Sequence, residues 1–316
     1  MTKRALTLAT IAVLTAGCAK NEISIERHDG YTIVSQTRGP KLGYSETSGV
    51  IILNIDGFAF KDLDKDGELD IYEDWRRPVS ERAEDLAAQL PIERICGLML
   101  YSSAVDAMTA ELTTKQAGYL KDDYIRHMLV RNIADAATGA AWSNKVQAFC
   151  EAEPFGIPSN NSSDPRNYTN GQANTNTYQP EPDGEFDPDG TSKISLWPRE
   201  VGMAATFDPM TARRHGEIVS TEYRALGITT ALSPQADLST DPHWRRFYGT
   251  FSESPELNRD IVREYCDAFQ TTPESKDGWG THSVNCMVKH WPGGGTGVSA
   301  SGAENCQSSG ACRIYC

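Results

Sequence analysis

The sequence predicts an α/β fold built on a parallel sheet, most economically a (β/α)8 barrel of the TIM type, and three observations carry that expectation. Short apolar runs at residues 124–130, 155–158, 228–232 and 284–288 read as strands, and segments of helical period separate them. The runs tend to end in polar or glycine-rich residues, as buried strands do when they deliver side chains to loops. Helix-start signals at Ser80, Pro91, Asp208-Pro209 and Ser254-Pro255 precede those periodic segments. Strand, polar loop and helix in repetition mark a parallel sheet, whose ligand sites lie beyond the carboxyl ends of its strands.

Composition sets the bounds. The 316 residues are 39% hydrophobic, enough for a sizeable core in one large domain or two small ones. A formal charge of −13 argues against nucleic acid as a partner and suits a neutral ligand such as a sugar. Residues 1–17 read as an export signal: Lys3 and Arg4, an apolar run from Ala5 to Leu14, then Thr15-Ala16-Gly17 before Cys18. Cleavage before Cys18 and lipid attachment there would hold the protein to a bacterial membrane surface, in the periplasm or on the outer membrane. A plain secretory peptide is the alternative. The apolar run falls short of the roughly 20 residues that span a bilayer, so a lipid anchor is the only membrane contact expected. Of eight cysteines, Cys306, Cys312 and Cys316 crowd the end of the chain, and Cys96, Cys150, Cys266 and Cys286 sit in apolar patterns. These four read as buried small residues, since no Cys-x-x-Cys spacing suggests zinc or a disulfide framework.

Taken in order, residues 18–57 read as a tether and N-terminal extension, irregular as far as Ser48, with one short strand at 50–53. Residues 58–75 hold an EF-hand-like calcium loop. Its carboxylates Asp62, Asp64, Asp66, Asp70 and Glu73 occupy loop positions 1, 3, 5, 9 and 12, with Gly67 at position 6 and Glu68 at position 7. A solvated acidic turn is the competing reading. Ser80 is expected to cap a helix with Ala83, Leu86, Ala87 and Leu90 on its apolar face. Pro91 opens a second, with Ile92, Ile95 and Met99 inward. Trp142, Val146 and Phe149 recur at helical spacing and read as core. Residues 160–166 form a polar run, and 167–195, rich in Asn, Thr, Asp, Gly and Pro, a long surface loop. Asp208 caps and Gly227 ends a helix that brings Ile218, Val219, Glu222 and Leu226 together. The helix from Ser254-Pro255 turns Leu257, Ile261, Tyr265 and Phe269 inward.

Three strand ends carry the candidate chemistry. The apolar run at 284–288 leads into Lys289-His290-Trp291-Pro292-Gly293-Gly294-Gly295. That glycine run lacks the Lys-Ser/Thr of a phosphate loop. Asp164 follows the strand near Ile157, and Arg246 closes Asp241-Pro242-His243-Trp244-Arg245-Arg246 after the strand at Ala231. A carboxylate accepts from two hydroxyls while Arg, Lys and His donate to others, so the four together suit the hydroxyl pattern of a hexose. Two alternatives stay open here: Asp164 as a turn residue before Pro165, and Arg245 in place of Arg246.

Lys289-His290-Trp291-Pro292 and its glycines, after an apolar strand, resemble the barrel domain of glycoside hydrolase family 3, the β-glucosidase-like exo-glycosidases. Tyr72-Glu73-Asp74-Trp75 after an Asp-rich turn matches the approach to that barrel. The resemblance implies a barrel over residues 76–297, incomplete, with its last strands missing. It implies that Asp164, Arg246, Lys289 and His290 bind the non-reducing terminal sugar. Asn161-Ser162-Ser163, His243 and Arg245 depart from the commonest motifs. Retaining hydrolysis by such enzymes needs a nucleophilic Asp and an acid/base Glu about 5–5.5 Å apart, and the resemblance finds neither here. It stops after Thr296-Gly297, and residues 298–316 are expected to be an aberrant tail, as a frameshift or a faulty gene model would leave. The expectation is therefore a retaining glycosidase for terminal β-linked sugars, taking an oligosaccharide or β-glucoside. It needs no catalytic cofactor, carries a structural Ca²⁺, and is inactive as this chain alone. A non-catalytic surface carbohydrate-binding lipoprotein is the alternative.

Overall fold

The computed structural model describes residues 20–165, 167, 194–242, 244, 246–272 and 280–290. The export signal, Cys18, Arg245, the glycine run and the C-terminal tail lie outside these residues, as does most of the loop at 167–195. The chain divides into two compact units, Met1–Glu84 and Asp85–Cys316.

The first unit is built from antiparallel strands where an irregular tether was expected. β1 (Ile23–His28), β2 (Tyr31–Gln36) and β3 (Leu42–Ser45) form one sheet, and β4 (Ile51–Ile55) and β5 (Phe58–Asp62) form a hairpin. The signal for both tight turns was present as Asp29-Gly30 and Asp56-Gly57, flanked by alternating residues. His28 faces Tyr31 and Ile55 faces Phe58 across two-residue turns. Asp56 and Gly57 both adopt positive φ, 54° and 81°, which the twist of such a hairpin favours. Only Thr32 and Val34 of the first sheet are fully buried, so the polarity that suggested a tether is that of strands solvated on one face. Trp75 stacks on Phe60 with ring centroids 5.3 Å apart and donates its indole N–H to the Ala59 carbonyl at 2.9 Å.

α1 (Val79–Gln89) and α2 (Ile92–Leu98) correct two expectations. Ser80 lies inside α1 and does not cap it. Ile92 is 65% and Met99 81% exposed, where both were expected inward. α2 has only seven residues, with Met99 at its C-cap, and its buried residue is Gly97, whose Cβ position lies 2.4 Å from the Asp123 carbonyl oxygen. The helix thus packs through its glycine, with Ile95 and Leu98 half-buried and Ile92 and Met99 exposed.

The second unit is a parallel sheet in which each strand neighbours the next in sequence. β6 (Val105–Ala107) is followed by α3 (Thr114–Lys121), β7 (His127–Ile133), α4 (Ala136–Ala152) and β8 (Asn160–Ser163). Then come α5 (Glu200–Ala204), α6 (Pro209–Ala225), β9 (Thr230–Ala231), α7 (Pro255–Gln270) and β10 (Asn285–Cys286). All four pairings are parallel. Doubly wound sheets reverse their order, whereas a monotonic order with right-handed crossovers curls one way, as a barrel does. Among the described residues the sheet remains open between β6 and β10.

Local sequence accounts for most of these elements. Thr113 and Gln116 form a reciprocal capping box on α3, and Asp135, Asp208 and Ser254 cap α4, α6 and α7. Trp142 and Val146 of α4 and Ile261, Tyr265 and Phe269 of α7 are at most 1% exposed, as their spacing predicted. α6 and α7 approach closely because Gly216 has no side chain; a Cβ there would stand 2.6 Å from that of Ala268. Two strands start later than expected, since Tyr124 and Phe155 take positive φ and break the extended chain. β8 is wholly polar yet nearly all buried: the Ser162 and Ser163 hydroxyls donate to the Met128 and Val130 carbonyls, at 3.1 and 2.7 Å. A polar run that reads as loop is therefore a central strand.

His215 of α6 is buried among Trp197, Tyr265 and Phe269, and its Nδ1 has no hydrogen-bond partner among the described residues. Burial pushes the imidazole pKa down to about 3. As pH falls the unfolded chain, with an ordinary value of about 6.5, takes up the proton first, so stability is lost between those two values. From pH 7 to pH 5 the loss should be about 2 kcal/mol, and His215→Phe should remove that share. Urea midpoints at the two pH values check this, and identical acid sensitivity in both proteins would contradict it.

Candidate functional site

The loops after β8, β9 and β10 meet at the carboxyl ends of the sheet. The backbone fixes their register: the Leu232 N–H donates to the Ser163 carbonyl at 2.8 Å, Lys289 N–H to Pro234 at 2.9 Å, and Ala236 N–H to Lys289 at 2.6 Å. Asp164 leaves β8, residues 233–237 leave β9, and Lys289 and His290 leave β10 at this point.

The structure brings all four expected residues together. The Lys289 ammonium donates to Asp164 Oδ1 in an ion pair whose side chains are 19% and 11% exposed. Arg246 Nη2 donates to Gln235 Oε1, and its Nη1 donates to His290 Nε2 at 3.1 Å. His290 Nδ1 lies 3.1 Å from Asp237 Oδ2, which also accepts from the His290 backbone N–H at 3.2 Å. Donor capacity assigns the tautomer: guanidinium can only donate, so Nε2 accepts and Nδ1 carries the hydrogen, given to Asp237. His290 was expected to donate to a ligand. In this arrangement both its ring nitrogens are engaged, one by Arg246 and one by Asp237.

A small open depression lies over this cluster, with Asp164, Glu200, Ser233, Gln235, Tyr248 and Lys289 in its wall. Arg246 and His290 are not in the wall; Arg246 reaches it through its bond to Gln235. Sequence reading missed Gln235 and Asp237. Their i, i+2 spacing beyond β9 places both side chains on one side of an extended segment, which is the signal that was available.

The acidic loop of the first unit divides its carboxylates between two tasks. Asp62, Asp64 and Asp66 offer oxygens that all lie within 4.8 Å of one another, a donor set suited to a hard cation. Glu68 and Asp70 lie outside this group. Glu73, expected as the closing ligand, accepts from the backbone N–H groups of Leu63, Asp64 and Asp70 at 2.5, 3.3 and 3.2 Å and so holds the loop shut. Burial raises the pKa of Glu73 and of Asp64.

Fold and side-chain geometry define an α/β protein of barrel topology with a polar cluster beyond the carboxyl ends of its parallel strands. The sequence model of the glycosyl hydrolase family 3 N-terminal domain matches residues 189–312. A periplasmic β-glucosidase/β-xylosidase of Dickeya chrysanthemi is 37% identical over 267 residues, covering 82% of this chain and 38% of the relative. β-Glucosidase C of Emericella nidulans is 33% identical over 233 residues, covering 72% and 35%. A solved β-glucosidase structure from Erythrobacter marinus shares the fold at a TM-score of 0.55 and 20% identity, over 73% of this chain and 28% of that one. Residues 189–312 thus carry the glycosyl hydrolase family 3 N-terminal domain, and the chain spans little more than a third of the length of the curated relatives.

Proposed function

We propose that this chain supplies the part of a β-glucosidase-like glycoside hydrolase that recognises the non-reducing terminal sugar. Asp164 and Lys289 contact the ring hydroxyls from the wall, and Arg246, bonded to Gln235 and His290, reaches the wall through Gln235. The observation that carries this is the meeting of Asp164 and Lys289, from two different strands, in one ion pair on the wall of the depression. An ammonium has three donors and a carboxylate about four acceptor positions, the chemistry that sugar hydroxyls match. The Dickeya and Emericella relatives, both described as β-glucosidases, favour a terminal β-linked glucose or xylose. Asp164 and Asp237 hold cationic or imidazole partners, which suits orientation of a ligand and not attack on it. Cleavage with retention is proposed to need carboxyl groups beyond these 316 residues, so that this chain alone binds without hydrolysing. Calorimetric titration with methyl β-glucoside tests the reading: binding that disappears in Asp164→Asn supports it, and unchanged binding in that variant overturns it.

Export through residues 1–17 and lipid attachment at Cys18 belong to the same proposal, supported by the periplasmic relative. Among the described residues no helix is long and apolar enough to cross a membrane. The mature protein should sediment with membranes and Cys18→Ala should release it; a variant that stays equally bound would contradict the anchor. For the acidic loop we propose Ca²⁺, held by Asp62, Asp64 and Asp66. A cation that binds only the folded loop stabilises it by mass action, about 2.7 kcal/mol at a hundredfold excess over Kd. The melting temperature should therefore rise in millimolar Ca²⁺ and not in an Asp62→Asn, Asp64→Asn variant. The absence of any rise would count against the site.

A further inference from the structure

Cys266 on α7 and Cys286 on β10 stand side by side, near enough for each thiol to shift the pKa of the other. Both are half-buried and pack against the same apolar core. Backbone ties on either side hold the contact: the Val284 N–H donates to the Phe269 carbonyl at 2.9 Å, and the Cys286 N–H donates to the Gln270 side-chain oxygen at 2.9 Å. The other described cysteines are placed differently, Cys150 fully buried on α4 and Cys96 exposed on α2. The sequence gives no hint of pairing, because its spacing matches no metal or redox motif; adjacency arises only when β10 folds back along α7.

We propose that Cys266 and Cys286 form a disulfide in an oxidising compartment, locking β10 to α7 three residues before Lys289. The compartment rests on the export reading above; the pairing rests on the geometry. The neighbouring Cys286 thiol favours the thiolate of Cys266 and lowers its pKa, while the Cys286 thiol, beside Cys266 and partly buried, is raised. Cys266 is thus the attacking sulfur. Its thiolate displaces one thiol from a low-molecular-weight disulfide such as oxidised glutathione, forming a mixed disulfide. Cys286 then loses its proton and displaces the second glutathione thiol as the internal bond closes. Two electrons pass from the protein thiols to the oxidant, which leaves as two reduced thiols.

The test uses the full chain, reduced, desalted and then incubated with oxidised glutathione. Free thiols are alkylated after unfolding and the digest is mapped by mass spectrometry. The expected product links the Cys266 and Cys286 peptides in most molecules, while Cys150 carries the alkyl label. Reductant should then lower the melting temperature of the wild type by about 5–10 °C and leave that of Cys286→Ala unchanged. Alkyl label on both peptides, or linkage of Cys266 mainly to Cys306, Cys312 or Cys316, would overturn the proposal. Acid-trapped thiols in protein from the native cell separate the two readings. A pair that links in vitro but is found reduced in the cell contradicts export and upholds the pairing. A pair that stays reduced in vitro contradicts the pairing itself.

Discussion

Replacing Lys289 by Met should weaken binding of methyl β-glucoside by roughly 10- to 100-fold, the effect of losing one charge-assisted hydrogen bond of about 1.5–3 kcal/mol. Met keeps most of the stem and its packing, so the loss reports the ammonium. That group has two roles, since it donates to Asp164 and faces the depression. Without it Asp164, whose side chain is 11% exposed, loses its cation, and part of the effect is the expense of that charge in a poorly solvated place. Lys289→Arg should not restore the wild type, because a planar fork cannot reproduce a point donor in the same space. Affinity within twofold of wild type in Lys289→Met would remove the ion pair from the account of recognition.

No turnover of an aryl β-glucoside is expected from a polypeptide of these 316 residues, at any substrate concentration that saturates binding. Groups that grip the ring equally in ground and transition states lower KM without raising kcat. Retaining hydrolysis needs one carboxyl to attack the anomeric carbon and a second to protonate the leaving oxygen, about 5–5.5 Å apart. Asp164 and Asp237 are committed to Lys289 and His290. A chimera continuing past Gly297 with the corresponding segment of the Dickeya chrysanthemi relative should hydrolyse the same substrate. Equal rates in both proteins would place the catalytic carboxyls within this chain and overturn the assignment.

Legibility followed the distance over which each signal acts. Helix caps at Asp208 and Ser254, and the core stripes Trp142/Val146 and Ile261/Tyr265/Phe269, were readable because caps and periodicity are local. β8 was not, because Asn160–Ser163 has the composition of a loop. Its hydroxyls are satisfied by carbonyls of β7, more than thirty positions away in sequence. The antiparallel strands before Ser48 were missed although Asp29-Gly30 announced a hairpin, since one solvated face diluted the alternation. At the site, Asp164, Arg246, Lys289 and His290 were visible as polar residues ending strands. Gln235 and Asp237 were not, because their importance lies in which atoms of Arg246 and His290 they hold. The contacts of His290 with Arg246 and Asp237 have the same origin: a tautomer is set by partners, and only the fold supplies them.

The most direct test of the central claim is an experimental structure of the chain with methyl β-glucoside bound. The account predicts the sugar ring in the depression, with hydroxyls about 2.7–3.2 Å from Asp164 and Lys289 and with Arg246 still bonded to His290 Nε2. A glucoside seated elsewhere, with the Asp164–Lys289 pair untouched, would contradict it.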